Sequence, residues 1–582
     1  MNYLHLNCLL STRLRRRGFL IGGGALTGLA IASQWQRVVA QPKFSDNPFK
    51  LGVASGDPLP DSVVLWTRLA PEPLTEGGGM PRQPVPVQWQ VATDNNMSNV
   101  VQRGTVMATP ELTHSVHAEV GGLEPNRWYW YQFKVGSELS PIGRTRTAPL
   151  PGDRLNRFRF ALASCQSWAS GYYPAYRDMA EDDLDLVVHV GDYIYESPIP
   201  EDSGMRSEKV PERVRPEPMT LEEYRLRHAL YKLDPDLQAA HASLPWIVTW
   251  DDHEVENNYA DDIPQEGSQQ EVFLRRRANA YQAYYEHMPL RSVSKPEGPN
   301  MKLFRRFTFG NLAEFSVLDT RQYRSDQVCP EGFPSSSACP ARLDPSRTMT
   351  GAEQERWLLD GLDRSQVTWN AIANQTIFAQ YDYAPGSEQQ FNRDQWDGYA
   401  ANRQRILDFL AQRQPSNPVV ITGDWHSSWV NDLKQNFDNP NSPTVGTEFV
   451  CSGISSGISW DEEVERALSE NPHVKFFDGK FRGYVRCELT QQQWRSDIRV
   501  VENSSQSGVP AANLPVRTLA SFVVENGSQA LSVSSFTFLA ARYCDQQEKP
   551  LSIQDTLGEI NGTLTASALT LHSHQAAGIY SR

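Results

Sequence analysis

The sequence predicts an antiparallel β-sandwich over residues 41–150 followed by an α/β domain over residues 155–530, and three observations carry that reading. From Asn47 to about Leu150 the chain runs through short alternating segments broken by Gly and Pro: SVVLWTRL, VPVQWQVAT, HSVHAEVGGL and RWYWYQFKVG. Period-two alternation with turn residues between the runs is the pattern of short antiparallel strands. After the linker PLPGDRLN the pattern changes to apolar strand-like runs separated by amphipathic stretches such as Glu271–His287 and Ala352–Leu362, an α/β signature. Finally, 582 residues exceed one ordinary core, while 39% hydrophobic residues with 15 Trp and 21 Tyr suffice to fill more than one.

The first 40 residues read as an export signal. RLRRRGFLIGGGALTGLAIAS, residues 13–33, joins an Arg cluster to an apolar run too short and glycine-rich to span a bilayer. Arg16-Arg17-Gly18-Phe19-Leu20 resembles the twin-arginine pattern, so the twin-arginine export machinery is an expected partner, and Val38-Val39-Ala40 offers a cleavage site. A periplasmic or secreted location follows, without stable membrane insertion after cleavage; an uncleaved amino-terminal anchor is the alternative. Those 40 residues hold five Arg and no acid, which leaves 50 basic and 69 acidic residues in the remainder, a net charge of −19. Such a surface repels polyanions, so no nucleic-acid-binding role is expected.

In the sandwich, Trp89 and the run Trp128, Tyr129, Trp130, Tyr131 supply core and opposite face, with a carbohydrate platform as the sharper alternative. Export permits disulfides. Cys329 and Cys339 bracket a Pro- and Ser-rich loop and are the expected pair, while Cys165, Cys451, Cys487 and Cys544 are not assigned a partner. Residues 531–582, rich in Ser, Thr and Ala, form a carboxy-terminal extension whose role the sequence does not reveal.

Four runs in the α/β region share one design, an apolar stretch that stops at groups able to bind metal. They are RFRFALASC at Cys165, LDLVVHVGDYIY with Asp192 and Tyr195, LPWIVTWDDHE with Asp252 and His253, and NPVVITGDWH with Asp424 and His426. Buried parallel strands deliver functional groups at their carboxyl ends. Each run alone has an ordinary explanation: a Gly-Asp turn, a helix cap, a small buried thiol, a loop histidine. Four together, converging on one crevice, would repel one another unless cations were bound.

These segments, with NPFKLGVASGDPLPDSVVLWTRL, TWDDHEVENNYADD, LDTRQYR, ANQTIFAQ and FVCSGISSG, resemble the PhoD-like alkaline phosphatases of the calcineurin-like metallophosphoesterase superfamily over nearly the whole mature chain. The resemblance implies an amino-terminal β-sandwich of PhoD type and a metallophosphoesterase catalytic domain of two facing sheets flanked by helices. It also implies metal ligands: Cys165, Asp192 as the bridge, Tyr195, Asp252, Asn374 or its neighbour Gln375, Asp424 and His426. A set of thiolate, phenolate, imidazole and carboxylate suits Fe³⁺. A set of oxygens from Asp192, Asp252, Asn374 and Asp424 suits Ca²⁺. The family's iron-plus-calcium centre is therefore the expected cofactor, with Zn²⁺ or Mn²⁺ as alternatives.

The activity implied is hydrolysis of phosphate esters, monoesters and also diesters, by attack of a metal-activated hydroxide that releases phosphate. His253 is the expected catalytic histidine, at the leaving group. Arg321, in LDTRQYR, is the candidate to grip phosphate oxygens through its planar fork, with a salt bridge to Asp319 or a surface position as alternatives. Asp251, Glu254, Glu256, Asn257, Tyr193 and Glu196 are expected to support the ligands. Two other functions stay open: a phosphodiesterase of the same superfamily, and a non-catalytic exported binding protein.

Overall fold

The computed structural model describes residues 44–535 apart from 266, 268, 330–338, 505–507 and 529–530. The export signal, Cys544 and nearly all of the carboxy-terminal extension lie outside the described residues.

The α/β part rests on two large sheets. One has ten strands in the order Leu531–Ser535, Val516–Glu525, Gln493–Val501, Gly483–Leu489, Phe158–Ala163, Leu186–His189, Pro245–Val248, Val53–Leu59, Ser62–Arg68 and Ser115–Val120. At its centre Phe158–Ala163, Leu186–His189 and Pro245–Val248 run parallel. The other sheet has seven strands, and its parallel centre is Ala313–Val317, Trp369–Ala373, Pro418–Thr422 and Thr444–Val450. Central strands of this kind are apolar on both faces, as LVVH, PWIV and PVVIT are here, with every residue buried. A single apolar cluster, including Phe160, Leu162, Val188, Phe315, Ala371, Ile421 and Phe449, draws side chains from both sheets.

Helices cover the outer faces. Gln270–His287 and Gly351–Arg364 contain the two amphipathic stretches read from the sequence. Leu221–Lys232 starts at a full capping box, in which Thr220 and Glu223 exchange side-chain-to-backbone hydrogen bonds. Pro235–Ser243 starts at Asp234, whose carboxylate accepts from two backbone amides.

The amino-terminal strands divide between two sheets. Val100–Ala108, Val85–Ala92 and Trp128–Val135, with Glu138–Leu139 and Gly143–Arg146, form a five-stranded sheet. Its inward residues Val87, Val91, Tyr131 and Phe133 share a buried cluster with Val53, Leu65, Val116 and Ala118. Those latter strands belong to the ten-stranded sheet, because Val53–Leu59 pairs in parallel with Pro245–Val248 through Ser55–Pro245 and Gly56–Trp246. The amino-terminal part is thus hydrogen-bonded into the ten-stranded sheet rather than joined to it only by the linker at residue 150. At the other end, Leu531–Ser535 extends the same sheet beyond residue 530.

Candidate metal centre

The carboxyl ends of the parallel strands from both sheets open on one crevice. After Phe158–Ala163 the chain turns at Cys165, after Leu186–His189 at Asp192, after Pro245–Val248 at Asp252, and after Pro418–Thr422 at Asp424 and His426. Backbone bonds knit the turns: Cys165 N–H donates to Gly191 O (3.1 Å), Gln166 N–H to Asp192 O (3.0 Å) and Ile454 N–H to Ser164 O (3.0 Å). Three groups hold potential ligand atoms within 4.8 Å of one another: Cys165, Asp192 and His426; Asp192, Asp252 and His253; Asp251, Asp252 and Asp424. Asp192 and Asp252 each belong to two groups, so the three form a continuous run.

At the first group the Tyr195 hydroxyl donates to Asp192 Oδ2 (2.9 Å), accepts from Ser456 Oγ (2.8 Å) and lies 2.8 Å from His426 Nε2. His426 Nδ1 is 3.1 Å from the Gly457 carbonyl, which can only accept. Nδ1 therefore carries a proton, and Nε2 is the ring nitrogen directed toward Asp192 and Tyr195. At the second group Asp252 Oδ1 accepts from His253 N–H (3.0 Å) and Oδ2 from Asn258 N–H (2.7 Å).

Electrostatics indicate whether this donor set fits a metal. Burial pushes the Cys165 thiol well up, and the Asp192 carboxylate adds to the effect. Burial, Asp192 and Cys165 do the same to the Tyr195 phenol. Asp424 is pushed up to about 6 by burial, Arg321 opposing, and by Asp252 and Asp394. Asp192 Oδ1 and Asp251 Oδ2 are buried without a hydrogen-bond partner. Donor groups that raise one another's pKa, beside orphaned carboxylate oxygens, suit bound cations. The residues fit a metal centre.

Two sequence expectations need correction. The Asn374 amide is already engaged inside the protein: its Nδ2 donates to Thr376 O and its Oδ1 accepts from Trp396 Nε1 (3.0 Å). Gln375 is equally occupied, accepting from Thr320 N–H and Oγ1 and donating to Thr249 Oγ1 and Leu318 O. The strand turn that carries both amides spends them on the scaffold. Arg321, moreover, is not free to grip phosphate. It is 0% exposed, and its guanidinium donates to Asp251, to Asp394 Oδ2 (2.9 Å) and to Asp424 Oδ1 (2.9 Å). Its salt bridges run to these three and to Asp252 (3.6 Å) rather than to Asp319, whose Oδ1 accepts instead from the Arg321 backbone N–H (3.1 Å).

The supporting residues are specific. Glu254 accepts from the backbone N–H groups of Asp192 (3.1 Å), Tyr193 (2.6 Å) and Asp251 (2.8 Å), fastening two ligand turns with one carboxylate. Glu196 Oε2 accepts from His253 Nδ1 (2.7 Å). Burial opposes a charge on His253, yet Glu196, Asp252 and Asp192 outweigh it and hold the imidazole pKa well above its usual value. Glu256 instead pairs with Arg276 (2.7 Å). Sequence reading missed Gln395, whose Nε2 donates to Asp424 Oδ2 (2.5 Å), and Ser456.

A cavity of about 570 Å³ opens over the centre, lined by Asp252, His253, Asn257, Asp424 and His426 among others. Cys329, on its rim, is disulfide-bonded to Cys339; Cys165, Cys451 and Cys487 are buried free thiols.

Comparison with known proteins gives this geometry a family. The chain is 48% identical to alkaline phosphatase D of Bacillus subtilis (strain 168) over 534 residues, 90% of each protein. A solved structure of PhoD, also 48% identical, superposes with a TM-score of 0.80 over 86% of this chain and 94% of that one. Residues 160–498 match the family model of the PhoD-like phosphatases and residues 32–149 that of their N-terminal domain, and the chain belongs to the PhoD-like phosphatase family.

Proposed function

We infer that the chain is an alkaline phosphatase that hydrolyses phosphate esters at the crevice where both sheets end. One observation carries the reading: strand ends far apart in sequence bring Cys165, Asp192, Asp252, Asp424 and His426 together beneath one cavity, in a chain closely similar to alkaline phosphatase D. The two large sheets with their shared core and outer helices support a metallophosphoesterase arrangement, and the paired amino-terminal sheets a sandwich of PhoD type.

Cys165, Asp192, Tyr195 and His426 would hold Fe³⁺, and Asp192, Asp252 and Asp424 would hold Ca²⁺. Bound there, such ions supply Lewis acidity and a hydroxide nucleophile at working pH. The chain's own part is proton handling and orientation. Glu196 holds His253 by Nδ1, so the imidazolium presents its other N–H as a general acid for the departing alkoxide. Arg321 fixes Asp424 from behind, and Glu254 fixes Asp192.

His253→Ala should lower turnover of an alkyl phosphate by about 10²–10⁴-fold. Elemental analysis should find the metal content unchanged; loss of metal would instead make His253 a ligand. The primary test follows phosphomonoester hydrolysis across pH before and after chelation, with Ca²⁺ alone restored. Alkaline activity regained with Ca²⁺ supports both hydrolysis and the oxygen-rich site, while recovery only with Zn²⁺ or Mn²⁺ overturns the calcium assignment. For location, we propose twin-arginine export, in keeping with the Cys329–Cys339 disulfide. Replacing Arg16 and Arg17 by Lys should retain the protein inside the cell, and unaltered export would refute that route.

A further inference from the structure

With Arg321 enclosed by carboxylates, the cation that meets the phosphate must lie elsewhere. Other arginines near the centre are also occupied: Arg324 by Asp394 and the Asn258 and Tyr259 carbonyls, Arg482 by the carbonyls of His426, Ser456 and Gly479. Arg393 differs. It is the only Lys or Arg among the described residues that line the cavity. No carboxylate, carbonyl or ring among the described residues engages its guanidinium, although the residue is only 8% exposed.

Its turn is fastened on every side. Asn392 Oδ1 accepts from Asp394 N–H (2.9 Å), Asp394 is clamped by Arg321 and Arg324, and Gln395 donates to Asp424. The Arg393 carbonyl packs so closely on Gly398 that a Cβ there would stand 2.0 Å from it. A rigid turn, bonded to the same Asp424 that the centre uses, thus presents one unpaired guanidinium to the cavity. A guanidinium that no neighbour engages can meet an incoming anion, and its planar fork matches the oxygens of a phosphoryl group. Among acidic liners such as Asp252, Asp394 and Asp424 it is also what would admit an anion.

We propose that Arg393 binds the non-bridging oxygens of the substrate phosphate and sets a preference for phosphomonoesters over diesters. The inference rests on the hydrolase reading above. A monoester offers the fork a dianionic group, a diester only a single charge. Charge-assisted bidentate contacts of this kind are worth about 10- to 100-fold in affinity.

The experiment compares wild type, Arg393→Gln and Arg393→Lys as metal-loaded full-length protein. It reads inorganic phosphate binding by calorimetry, kcat/KM for a phosphomonoester and for a phosphodiester with the same leaving group, metal stoichiometry and Tm. Expected for Arg393→Gln is at least a 10-fold loss in phosphate affinity and in monoester kcat/KM, less than 3-fold for the diester, with metal and Tm unchanged; Arg393→Lys should recover part of it. Unchanged phosphate affinity overturns the proposal. So does an equal loss on both esters accompanied by metal loss, since Arg393 would then act through the centre. If wild type binds phosphate through Arg393 yet hydrolyses neither ester, the anion contact stands and the hydrolase reading falls.

Discussion

Cys165, Asp192, Asp424 and His426 all occupy left-handed backbone, at φ of 56°, 58°, 63° and 51°. Non-glycine residues in this region cost of order 1–3 kcal/mol each and persist only where surrounding contacts impose them. Here the constraint is the tight bend by which each strand end turns its polar side chain toward the crevice. Gly191 shows how little room remains: at φ 117° its added Cβ would meet Asp251 Cβ at 2.4 Å and Asp251 N at 2.6 Å. Gly191→Ala should therefore cost about 3 kcal/mol or more, strain and overpacking together, and should weaken metal retention. Gly77→Ala is the control, since Gly77 has positive φ but nothing within 4 Å of an added Cβ, and should cost about 1 kcal/mol. Equal shifts in denaturation midpoint for the two variants would refute the crowding argument. The strand ends that meet at the crevice were legible in the sequence because each writes an apolar run and its polar stop in one segment. Arg321 was not, because its carboxylate partners lie 70, 73 and 103 residues away. Nor can one segment tell whether an amide such as Asn374 faces the crevice or the scaffold.

Among the elements, the helix Leu221–Lys232 ends on an unusual set of buried groups around Tyr193, in the turn that follows the strand Leu186–His189. Lys232 Nζ donates to the Tyr193 hydroxyl (3.1 Å), which lies 2.7 Å from His241 Nε2, and His228 stacks on His287 with ring centroids 4.9 Å apart. Burial pushes Lys232 down to about 7 and His189 down to about 3. A group whose folded pKa lies below its unfolded value binds fewer protons when folded, so stability rises with pH between the two values. For Lys232 that window runs from about 7 to about 10.4, with a slope of about 1.4 kcal/mol per pH unit. Lys232→Met should remove this part of the pH dependence, so that its stability exceeds wild type's more at pH 7 than at pH 10. Parallel stability–pH curves from denaturant titrations would mean that Lys232 stays charged over Trp66, 4.4 Å from its ring. A capping box marks where the helix starts, but no local pattern reveals that its last residue is buried opposite a tyrosine 39 positions away.

At the scale of the molecule, the amino-terminal and catalytic parts read as successive domains because the hydrophobic period changes at residue 150. Alternation along a strand says which face is buried but not which neighbour its backbone bonds, so it could not reveal that Val53–Leu59 pairs with Pro245–Val248. Side chains reinforce that seam. Trp66 Nε1 donates to Glu286 O (3.0 Å), Arg305 donates to Asp57 Oδ1 (2.8 Å), and His117 Nε2 lies 2.9 Å from Tyr285 O. Removing residues 1–150 would leave Pro245–Val248 as an open, wholly buried-type edge, since three strands of the ten-stranded sheet would go with them. An unprotected apolar edge is an aggregation template. The full chain should therefore unfold in one calorimetric transition, with calorimetric and van't Hoff enthalpies in agreement over residues 44–535. A chain beginning at residue 151 should be recovered only as aggregate, without metal. Two separated transitions, or a soluble truncated chain that retains metal, would show that the seam is a contact between independent domains. In the expected case the amino-terminal strands hold the position of Pro245–Val248, and so of Asp252 and His253 at its end, which gives them a part in the active site without a residue in it.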